Sequence, residues 1–428
     1  MTLSRQLASD LGFLGVNVDS AVELSWLKTE VADKIREGDK TSILRLVNLA
    51  RHSEDEKVKA YAVTLTQIYE RMLEAYPDDP TGEKEETSYE EAESVEEITN
   101  IIDEAIASGE DAHIEIKSDM DLTDGNKSIT IPEGANVELK VDSTVTCSKN
   151  SFNVNNGTLT LSGEGTIVSD HKAASGVIVL DGADSVLNLE GVTIDTVSKH
   201  EGESDNYAYG VYSKNGATVN FKSGTIKVAG GSCISTNNTT GGCDINISGG
   251  ELLSDGSYAV YVPAQGNVHI TGGRVQGINA RMGNIVIEGD AVILPTTITA
   301  ETCDPIGSNI TASGSIWVGD TIAILAGTYT DPNGVDTTLE IKGNATVSSN
   351  FRSAIGIYSL DTKQKSNVVV NVQNASAVST TDGDSEAIFV YDHDYLSNAA
   401  SEAGKTYNPS VTSDITVTVA GQQIYPAA

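Results

Sequence analysis

A short apolar motif recurs through most of the chain after residue 158. It has the form apolar-x-apolar-x-Gly-x-x-apolar, and its copies are "LTLSGEGTI", "LNLEGVTI", "VNFKSGTI", "INISGGEL", "VHITGGRV", "IVIEGDAV", "LEIKGNATV" and the more divergent "VVVNVQNASAV". Successive copies begin 28, 32, 26, 23, 17, 54 and 29 residues apart. Repeats of this length, with short strands punctuated by Gly and Asn, are typical of a solenoid in which each coil pairs with its neighbours. The sequence therefore predicts a mainly β chain, and the interval of 54 residues predicts a degenerate coil between two regular ones.

Alternation within the motif predicts which side chains form the core. Residues i and i+2 of a strand share one face, so the two apolar positions of each copy point inward and stack on those of the next coil. The predicted columns contain Leu159/Leu161, Leu187/Leu189, Val219/Phe221, Ile245/Ile247 and Val268/Ile270. The glycine that follows each pair suits a corner with backbone torsions closed to other residues. At about 25 residues per coil, we expect roughly twelve coils.

The first 76 residues have a different pattern, with apolar residues at helical spacing. A capping box at Ser20 and Glu23 opens a helix, and its apolar face contains Leu24, Leu27, Val31 and Ile35. Two more short amphipathic helices follow, with buried positions that include Ile43, Leu65 and Ile68. Because three short helices bury little surface, we expect residues 1–76 to form a small α-helical module that anchors the chain to a partner through the first face.

An acidic segment separates the two parts. Residues 78–111 contain fourteen acidic residues and one lysine, which predicts a solvated hinge over residues 77–94, or alternatively a docking segment for a basic partner. A further helix is predicted from about Glu90 to Ser108, ended by Gly109. It begins the third region, residues 95–428, and we expect it to cap the first coil, because an open solenoid end would aggregate.

Charge and hydropathy exclude several classes of partner. The chain has 428 residues, and its 61 acidic residues against 27 basic ones give a net charge of −34. Such a field repels the phosphates of nucleic acids and anionic membranes. The sequence has no run of eighteen apolar residues and begins without a signal-peptide pattern. We therefore expect synthesis in the cytoplasm, with neither a nucleic acid nor a membrane as partner.

The four cysteines, Cys147, Cys233, Cys243 and Cys303, form no pair at metal-binding spacing. They are predicted to be buried free thiols, with a Cys233–Cys243 bridge as the alternative. No cofactor is expected.

The sequence offers few combinations of residues that could form a catalytic site. A lyase site would need a base beside clustered acids, and the arginines Arg274 and Arg281 fall within one repeat without such a cluster. Carboxylate pairs for a glycosidase could come from Asp181, Asp184 and Asp195, or from Asp392 and Asp394, but in so acidic a chain chance supplies pairs. We therefore expect a protein that is not an enzyme.

Polar and aromatic residues indicate a binding surface instead. Asn188, Asn220 and Asn246, with His269 in the same register, lie between inward positions and predict an outward polar ladder, which could serve stability alone. The polar and aromatic segment "VYDHDYLSN" at 390–398 predicts a loop tip, with calcium binding or sugar stacking as alternatives. Tyrosine suits sugar contacts because its ring is apolar and its hydroxyl polar. The candidate glycan-contacting residues are Tyr209, Tyr212, Tyr258, Tyr261, Tyr391 and Tyr395.

The stretch "IEIKSDMDLTDGNKSITIPEGANVELKVDSTVT" resembles the opening coil of the pectin-lyase-like right-handed parallel β-helix family. The later "NISGGELLSDGSYAVYV" coils are similar to repeats in carbohydrate-binding β-helices and in fibre proteins of tailed bacteriophages. The resemblance covers roughly residues 95–428 and implies a right-handed parallel β-helix. The acid–base constellation of the enzymatic families is absent, so no catalytic residue is carried over.

The whole plan resembles a head fibre or capsid decoration protein of a tailed phage. The resemblance implies a virion surface protein that binds the major capsid protein, or another virion protein, through residues 1–76 and displays a β-helix towards host or mucosal glycans. It also implies a homotrimer, held by the helical module or the C-terminal tail. The alternatives are a carbohydrate-binding or polysaccharide-degrading protein outside the virion, and a bacterial adhesin, which would need an export signal.

Overall fold

The computed structural model describes residues 88–428 except 125–126, 198–207, 237–241, 256, 296–323, 327–334, 351–352, 359–366, 382, 384, 403, 405–413 and 427–428, together with residues 43, 64–66 and 68. The chain divides into two compact units, Met1–Thr87 and Ser88–Ala428.

In the first unit, the described residues are helical. Ile43, Leu65 and Ile68, three predicted apolar helix positions, are buried there. The rest of the predicted helical module lies outside the described residues, including the proposed anchoring residues Leu24, Leu27, Val31 and Ile35.

The second unit is mainly β. Its described α-helices are α1 (Val95–Ser108) and α2 (His393–Glu402), and a 3₁₀ turn spans Ala375–Ala377. Its strands are β1 (Glu90–Glu91), β2 (Ala112–Ile116), β3 (Met120–Leu122), β4 (Ile129–Ile131), β5 (Asn136–Val141), β6 (Thr144–Cys147), β7 (Phe152–Asn155), β8 (Thr158–Ser162), β9 (Thr166–Ser169), β10 (Gly176–Asp181), β11 (Val186–Val197), β12 (Tyr209–Lys214), β13 (Thr218–Ala229), β14 (Ser232–Ser235), β15 (Cys243–Ile247), β16 (Glu251–Asp255), β17 (Val260–Ile270), β18 (Arg274–Gln276), β19 (Ile278–Ile287), β20 (Val292–Leu294), β21 (Ile324–Ala326), β22 (Thr337–Ile341), β23 (Thr346–Ser349), β24 (Ile355–Tyr358), β25 (Asn367–Val372), β26 (Val378–Thr380), β27 (Ile388–Tyr391), β28 (Asp414–Val419) and β29 (Gln422–Tyr425).

Parallel pairing joins these strands into three long ladders. The first ladder runs β2-β5-β8-β11-β13-β15-β17-β19-β22-β25-β28. The second runs β3-β6-β9-β11-β13-β16-β18-β20-β23-β26. The third runs β4-β7-β10-β12-β14-β17-β19-β21-β24-β27. Each strand pairs with one from the next repeat, which is consistent with a solenoid.

The predicted inward columns of the first ladder are confirmed. Leu159, Leu187, Val219, Ile245 and Val268 are consecutive register partners, and so are Leu161, Leu189, Phe221, Ile247 and Ile270. All ten side chains are at most 1% exposed and belong to one continuous core. Alternating sequence therefore translates directly into stacked apolar columns, because the strand period of two keeps each column on one face.

The interpretation of the 54-residue interval as two coils is wrong. Ile285 in β19 pairs directly with Leu339 in β22, so no further strand of the first ladder lies between them. The other two ladders also gain no extra repeat in this interval, because Ile278 pairs directly with Ile324 in the third ladder and Val292 with Thr346 in the second. The extra residues are therefore an insertion within one repeat, which motif spacing cannot distinguish from a degenerate repeat.

Helix α1 covers the N-terminal end of the core, as predicted, but it begins later than expected. Ser94 caps it by accepting a hydrogen bond from the Glu97 amide (3.2 Å), and Gly109 ends it at φ 76°. Ile98 and Ile102 are buried in the core, and the helix contacts β2 and β4. Residues 90–91, predicted as helix, form β1 and pair with β2. None of the helices in the described ranges has the length and hydropathy needed to span a bilayer.

The C-terminal end of the first ladder is closed by the chain itself. Strand β28 pairs in parallel with β25 on one edge, and β29 folds back to pair with it in antiparallel fashion on the other. Strand β29 therefore covers the C-terminal edge of the first ladder.

Candidate functional site

The predicted asparagine ladder is present on the outward side of the first ladder. The Asn188 side chain donates to Thr160 Oγ1 (3.1 Å), Asn220 donates to Asn188 Oδ1 (2.9 Å) and Asn246 donates to Asn220 Oδ1 (2.9 Å). Each of these four residues is half-buried and lies between two inward apolar residues of its strand. We call Thr160, Asn188, Asn220 and Asn246 row one.

His269 continues the register of row one but not its hydrogen bonding. It pairs with Asn246 across β15 and β17, yet its Nε2 atom lies 2.8 Å from Glu288 Oε1. This hydrogen bond is the main cause that lowers the pKa of Glu288. The predicted ladder therefore ends at Asn246, because the imidazole binds a carboxylate instead.

A second polar row lies on the same side of the first ladder. The Asn267 side chain donates to Asp244 Oδ1 (2.7 Å), Asn284 donates to Asn267 Oδ1 (3.2 Å) and Thr338 donates to Asn284 Oδ1 (2.8 Å). Asp244 precedes Asn246 by two residues in one strand, so both point to the same face. We call Asp244, Asn267, Asn284 and Thr338 row two, and both rows together the amide face.

The amide face is ordered in one direction. In both rows the residue of the later repeat donates to the residue of the earlier one. Such head-to-tail chains of hydrogen bonds strengthen one another and hold each amide in one orientation. Row two could not be found from the single-motif alignment, because its members fall outside the apolar-x-apolar window that defined row one.

Charges beside the amide face are paired. Lys222 Nζ lies 2.6 Å from Glu190 Oε1 on the neighbouring strand, and Lys342 Nζ lies 3.3 Å from Glu340 Oε2 and 3.5 Å from Glu288 Oε2. These ion pairs are solvent-exposed and contribute little stability. Their consequence is electrostatic, because they neutralise the flanks of an otherwise polar and mostly uncharged surface.

The candidate tyrosines do not lie beside this ladder. Tyr209, Tyr212, Tyr258 and Tyr261 belong to or directly precede strands of the third ladder. Tyr209 and Tyr258 are only 2% and 5% exposed, so their rings cannot serve as stacking platforms for a sugar. Tyr212 and Tyr261 are half-buried, and the Tyr212 ring lies under Lys214 Nζ at 5.6 Å. The four tyrosines therefore lie on a different ladder from row one, and only Tyr212 and Tyr261 keep partly exposed side chains.

The polar and aromatic segment at 390–398 is a strand end followed by a helix, not a loop tip. Asp392 caps α2 by accepting a hydrogen bond from the Tyr395 amide (2.9 Å), and its other oxygen accepts one from Tyr425 Oη (2.8 Å). Tyr391 is 3% exposed and packs edge-on against Phe389, with 4.7 Å between ring centroids. Tyr395 is 38% exposed, and its ring packs edge-on against Phe389 and Tyr391, with 5.0 and 5.5 Å between ring centroids. Burial therefore excludes Tyr391 as a sugar contact and leaves Tyr395 as a candidate.

The residues considered for catalysis are engaged elsewhere. Arg274 Nε forms an exposed ion pair with Glu251 Oε1 at 3.1 Å, and the side chain of Arg281 lies outside the described part of the chain. Asp181 binds Lys214 Nζ (2.8 Å) and the Asn215 amide (2.7 Å). The hydrogen bond from Lys214 is the main cause that lowers the Asp181 pKa, which keeps this carboxylate ionised and unsuited to donate a proton.

A polar cluster near the N-terminal end was not predicted. Glu138 accepts a hydrogen bond from Tyr89 Oη (2.6 Å) and lies 3.3 Å from His113 Nδ1. Nearby, the buried Glu115 accepts from Lys140 Nζ (2.7 Å) and from Lys117 Nζ (3.0 Å). Burial is the main cause that raises the pKa of Tyr89 to about 12. The only sequence signal was charge alternation along β2 and β5, because the pairing depends on their parallel register.

Cys147, Cys233 and Cys243 are buried free thiols, as predicted. Cys303 lies outside the described residues. Within the described residues, no three His, Cys, Asp or Glu side chains come together as a metal site.

Comparisons with known proteins give no match. No protein family model, no curated protein and no solved structure is significantly similar to the chain.

Proposed function

We propose that this chain is a structural, non-enzymatic surface protein of a tailed-phage virion, most simply a head fibre. Residues 95–428 would form a right-handed parallel β-helix that projects from the particle. Residues 1–76 would form the α-helical module that binds the major capsid protein or another virion protein. The chain would be made in the host cytoplasm and assembled there onto particles.

One observation carries this proposal. Three parallel ladders share one continuous core, and the first of them runs from β2, which contacts the N-terminal helix, to the C-terminal hairpin. Nearly every inward position contributes to stacking, and three of the polar groups considered for chemistry, Asp181, Arg274 and Asp392, are held in ion pairs or a helix cap. An arrangement of this kind suits extension and display, since each added repeat lengthens the stack without changing its cross-section.

Two further features support the proposal. The separate compact unit at Met1–Thr87 provides an independent part for attachment. The net charge of −34 favours solubility and keeps neighbouring particles apart. A weak contact with host or mucosal glycans is the proposed outward role, and the amide face supports it.

Mass spectrometry of gradient-purified virions tests the proposal. We expect peptides from the chain in the particle fraction, at a constant ratio to the major capsid protein across the gradient peak. A tag on the chain should bring down the capsid protein from dissociated virions. Peptides found only in the soluble fraction of the lysate would overturn the virion assignment and favour a free carbohydrate-binding protein.

A further inference from the structure

The amide face has the hydrogen-bonding capacity to bind a second chain. An asparagine side chain carries two N–H donors and an acceptor with two lone pairs. In row one, Asn220 uses one N–H towards Asn188 and one lone pair for Asn246. Among the described residues, no other partner of this side chain is present. Each asparagine of the row therefore retains a donor and an acceptor, and all three side chains are partly exposed.

These remaining groups are repeated at a fixed interval. Neighbouring strands are about 4.8 Å apart, so each row offers one polar side chain per repeat along the stacking direction, and all of these except the Asp244 carboxylate are amides or hydroxyls. The hydrogen bonds between the amides already fix their orientation. Binding would therefore cost little additional side-chain entropy, which favours even weak contacts.

Charge defines the chemistry of the partner. Row one has no charged residue, row two has one carboxylate at Asp244, and the ion pair of Lys222 with Glu190 neutralises the flank of row one. The whole chain has a net charge of −34, which repels anionic polymers. An uncharged polymer with hydroxyl groups can hydrogen-bond to the donors and acceptors of the amide face without being repelled by the net charge of the protein. A peptide strand is a poorer match, because the backbone groups of the first ladder are already paired between repeats.

We infer that the amide face binds an uncharged, extended, β-1,4-linked glycan that lies along the stacking direction of the strands. Each sugar of such a ribbon-like chain advances by a distance similar to the strand spacing and is turned over relative to the one before, so every second sugar presents the same hydroxyls to a row of amides. An α-1,4-linked chain coils and would lose this register. This inference rests on the proposed glycan contact and names its ligand class and its site.

Contacts of this kind are individually weak, because each hydrogen bond replaces one with water. The affinity should therefore increase with glycan length, as more repeats are engaged at once. Cellohexaose is a suitable probe, with cellobiose for length, maltohexaose for linkage and hexagalacturonate for charge. Titration calorimetry with the full-length protein is expected to rank cellohexaose first and to detect little binding of the other three.

The variant Asn220→Thr/Asn246→Thr tests the site. Threonine occupies the same register position at Thr160, so the strand can accept it. Loss of two amides should weaken cellohexaose binding about 10- to 30-fold, taking each net hydrogen bond at its usual strength. The matched control is Asn153→Thr on the third ladder, where Thr130 is the register partner. The control should bind like the wild type.

A second measurement avoids dependence on the variant. Side-chain amide signals of asparagine in the wild-type protein should shift on addition of cellohexaose, with the Asn220 signal identified by its loss in Asn220→Thr. Unchanged binding by the double variant, unshifted Asn220 signals, or equal binding of maltohexaose or hexagalacturonate would overturn the inference. These outcomes leave virion association untouched, and absence of the chain from virions would leave the glycan site untouched.

Discussion

Leu189 and Phe221 are register partners in the neighbouring parallel strands β11 and β13, and both side chains are at most 1% exposed. On its other side Leu189 pairs with Leu161. A residue held between two repeats in this way contributes to the interface of both. Single substitutions in a column should therefore weaken the stack rather than one strand alone.

Leu189→Ala should lower the free energy of unfolding by about 2–5 kcal/mol, because the cavity lies between two buried neighbours that cannot collapse freely. Thermal and urea unfolding followed by circular dichroism would measure the loss. The volume-conserving Leu189→Met is the control and should cost less than about 1.5 kcal/mol. Equal stability of the alanine variant and the wild type would contradict the stacked core.

Gly191 occupies a corner that other residues cannot. Its φ is 101°, and a Cβ atom placed there would lie 2.6 Å from the Gly163 carbonyl oxygen of the preceding repeat. Gly191→Ala should therefore cost more than about 2 kcal/mol, since positive φ and a backbone clash combine. Gly421→Ala is a matched control, with φ 76° and no atom within 4 Å. If both variants melt at the same temperature, close stacking of the corners is refuted.

The ion pairs of Glu115 should give a pH-dependent contribution to stability. Glu115→Gln leaves a buried group with weaker partners and should cost about 1–3 kcal/mol at pH 7. Hydrogen bonds from Lys140, then Lys117, lower the Glu115 pKa below its ordinary 4.5. As the pH falls, Glu115 is therefore protonated in the unfolded state before it is protonated in the folded state. The stabilisation is fully present above pH 4.5 and is lost as the pH falls through the lower pKa of the folded state.

Unfolding of wild type and Glu115→Gln at several pH values from 7 to 3 measures this effect. The difference between the two proteins should shrink below pH 4.5. Glu164→Gln, at an exposed position, is the control and should change stability by less than about 0.5 kcal/mol. A difference that stays constant down to pH 3 would show that the carboxylate charge is not responsible.

The three described thiols should resist alkylation in the native protein. Burial raises the pKa of Cys147 to about 12 and also raises that of Cys233, so little thiolate forms at pH 8. Peptide mapping by mass spectrometry after treatment with iodoacetamide should find Cys147, Cys233 and Cys243 unmodified until denaturant is added. A disulfide-linked peptide containing Cys233 and Cys243 would contradict the free-thiol state.

The sequence was sufficient for the features that depend on strand period. The inward columns through Leu187 and Leu189, and the outward position of Asn188 between them, follow from alternation alone. Parallel pairing in register then places the equivalent positions of neighbouring repeats next to each other, so residues of the same kind stack. Alternation also predicted Asn188, Asn220 and Asn246 as members of row one. It failed at His269, because the imidazole forms its hydrogen bond with Glu288 instead.

Features that depend on spatial neighbours could not be predicted. Burial of Tyr209 and Tyr391 is set by packing beyond their own strands, which a single sequence does not encode locally. Counting residues could not distinguish an insertion from an extra repeat between Ile285 and Leu339. Glu90 and Glu91 have strong helix propensity, yet pairing with the edge of β2 overrides it.

We propose above that the chain is displayed on a phage head. Immunogold labelling of lysates from the source culture, with an antibody raised against the full-length protein, tests it most directly. We expect gold distributed over phage heads, and no gold on the heads of particles made by a phage from which the gene is deleted. Gold on cell envelopes, or confined to material that does not sediment with particles, would contradict it.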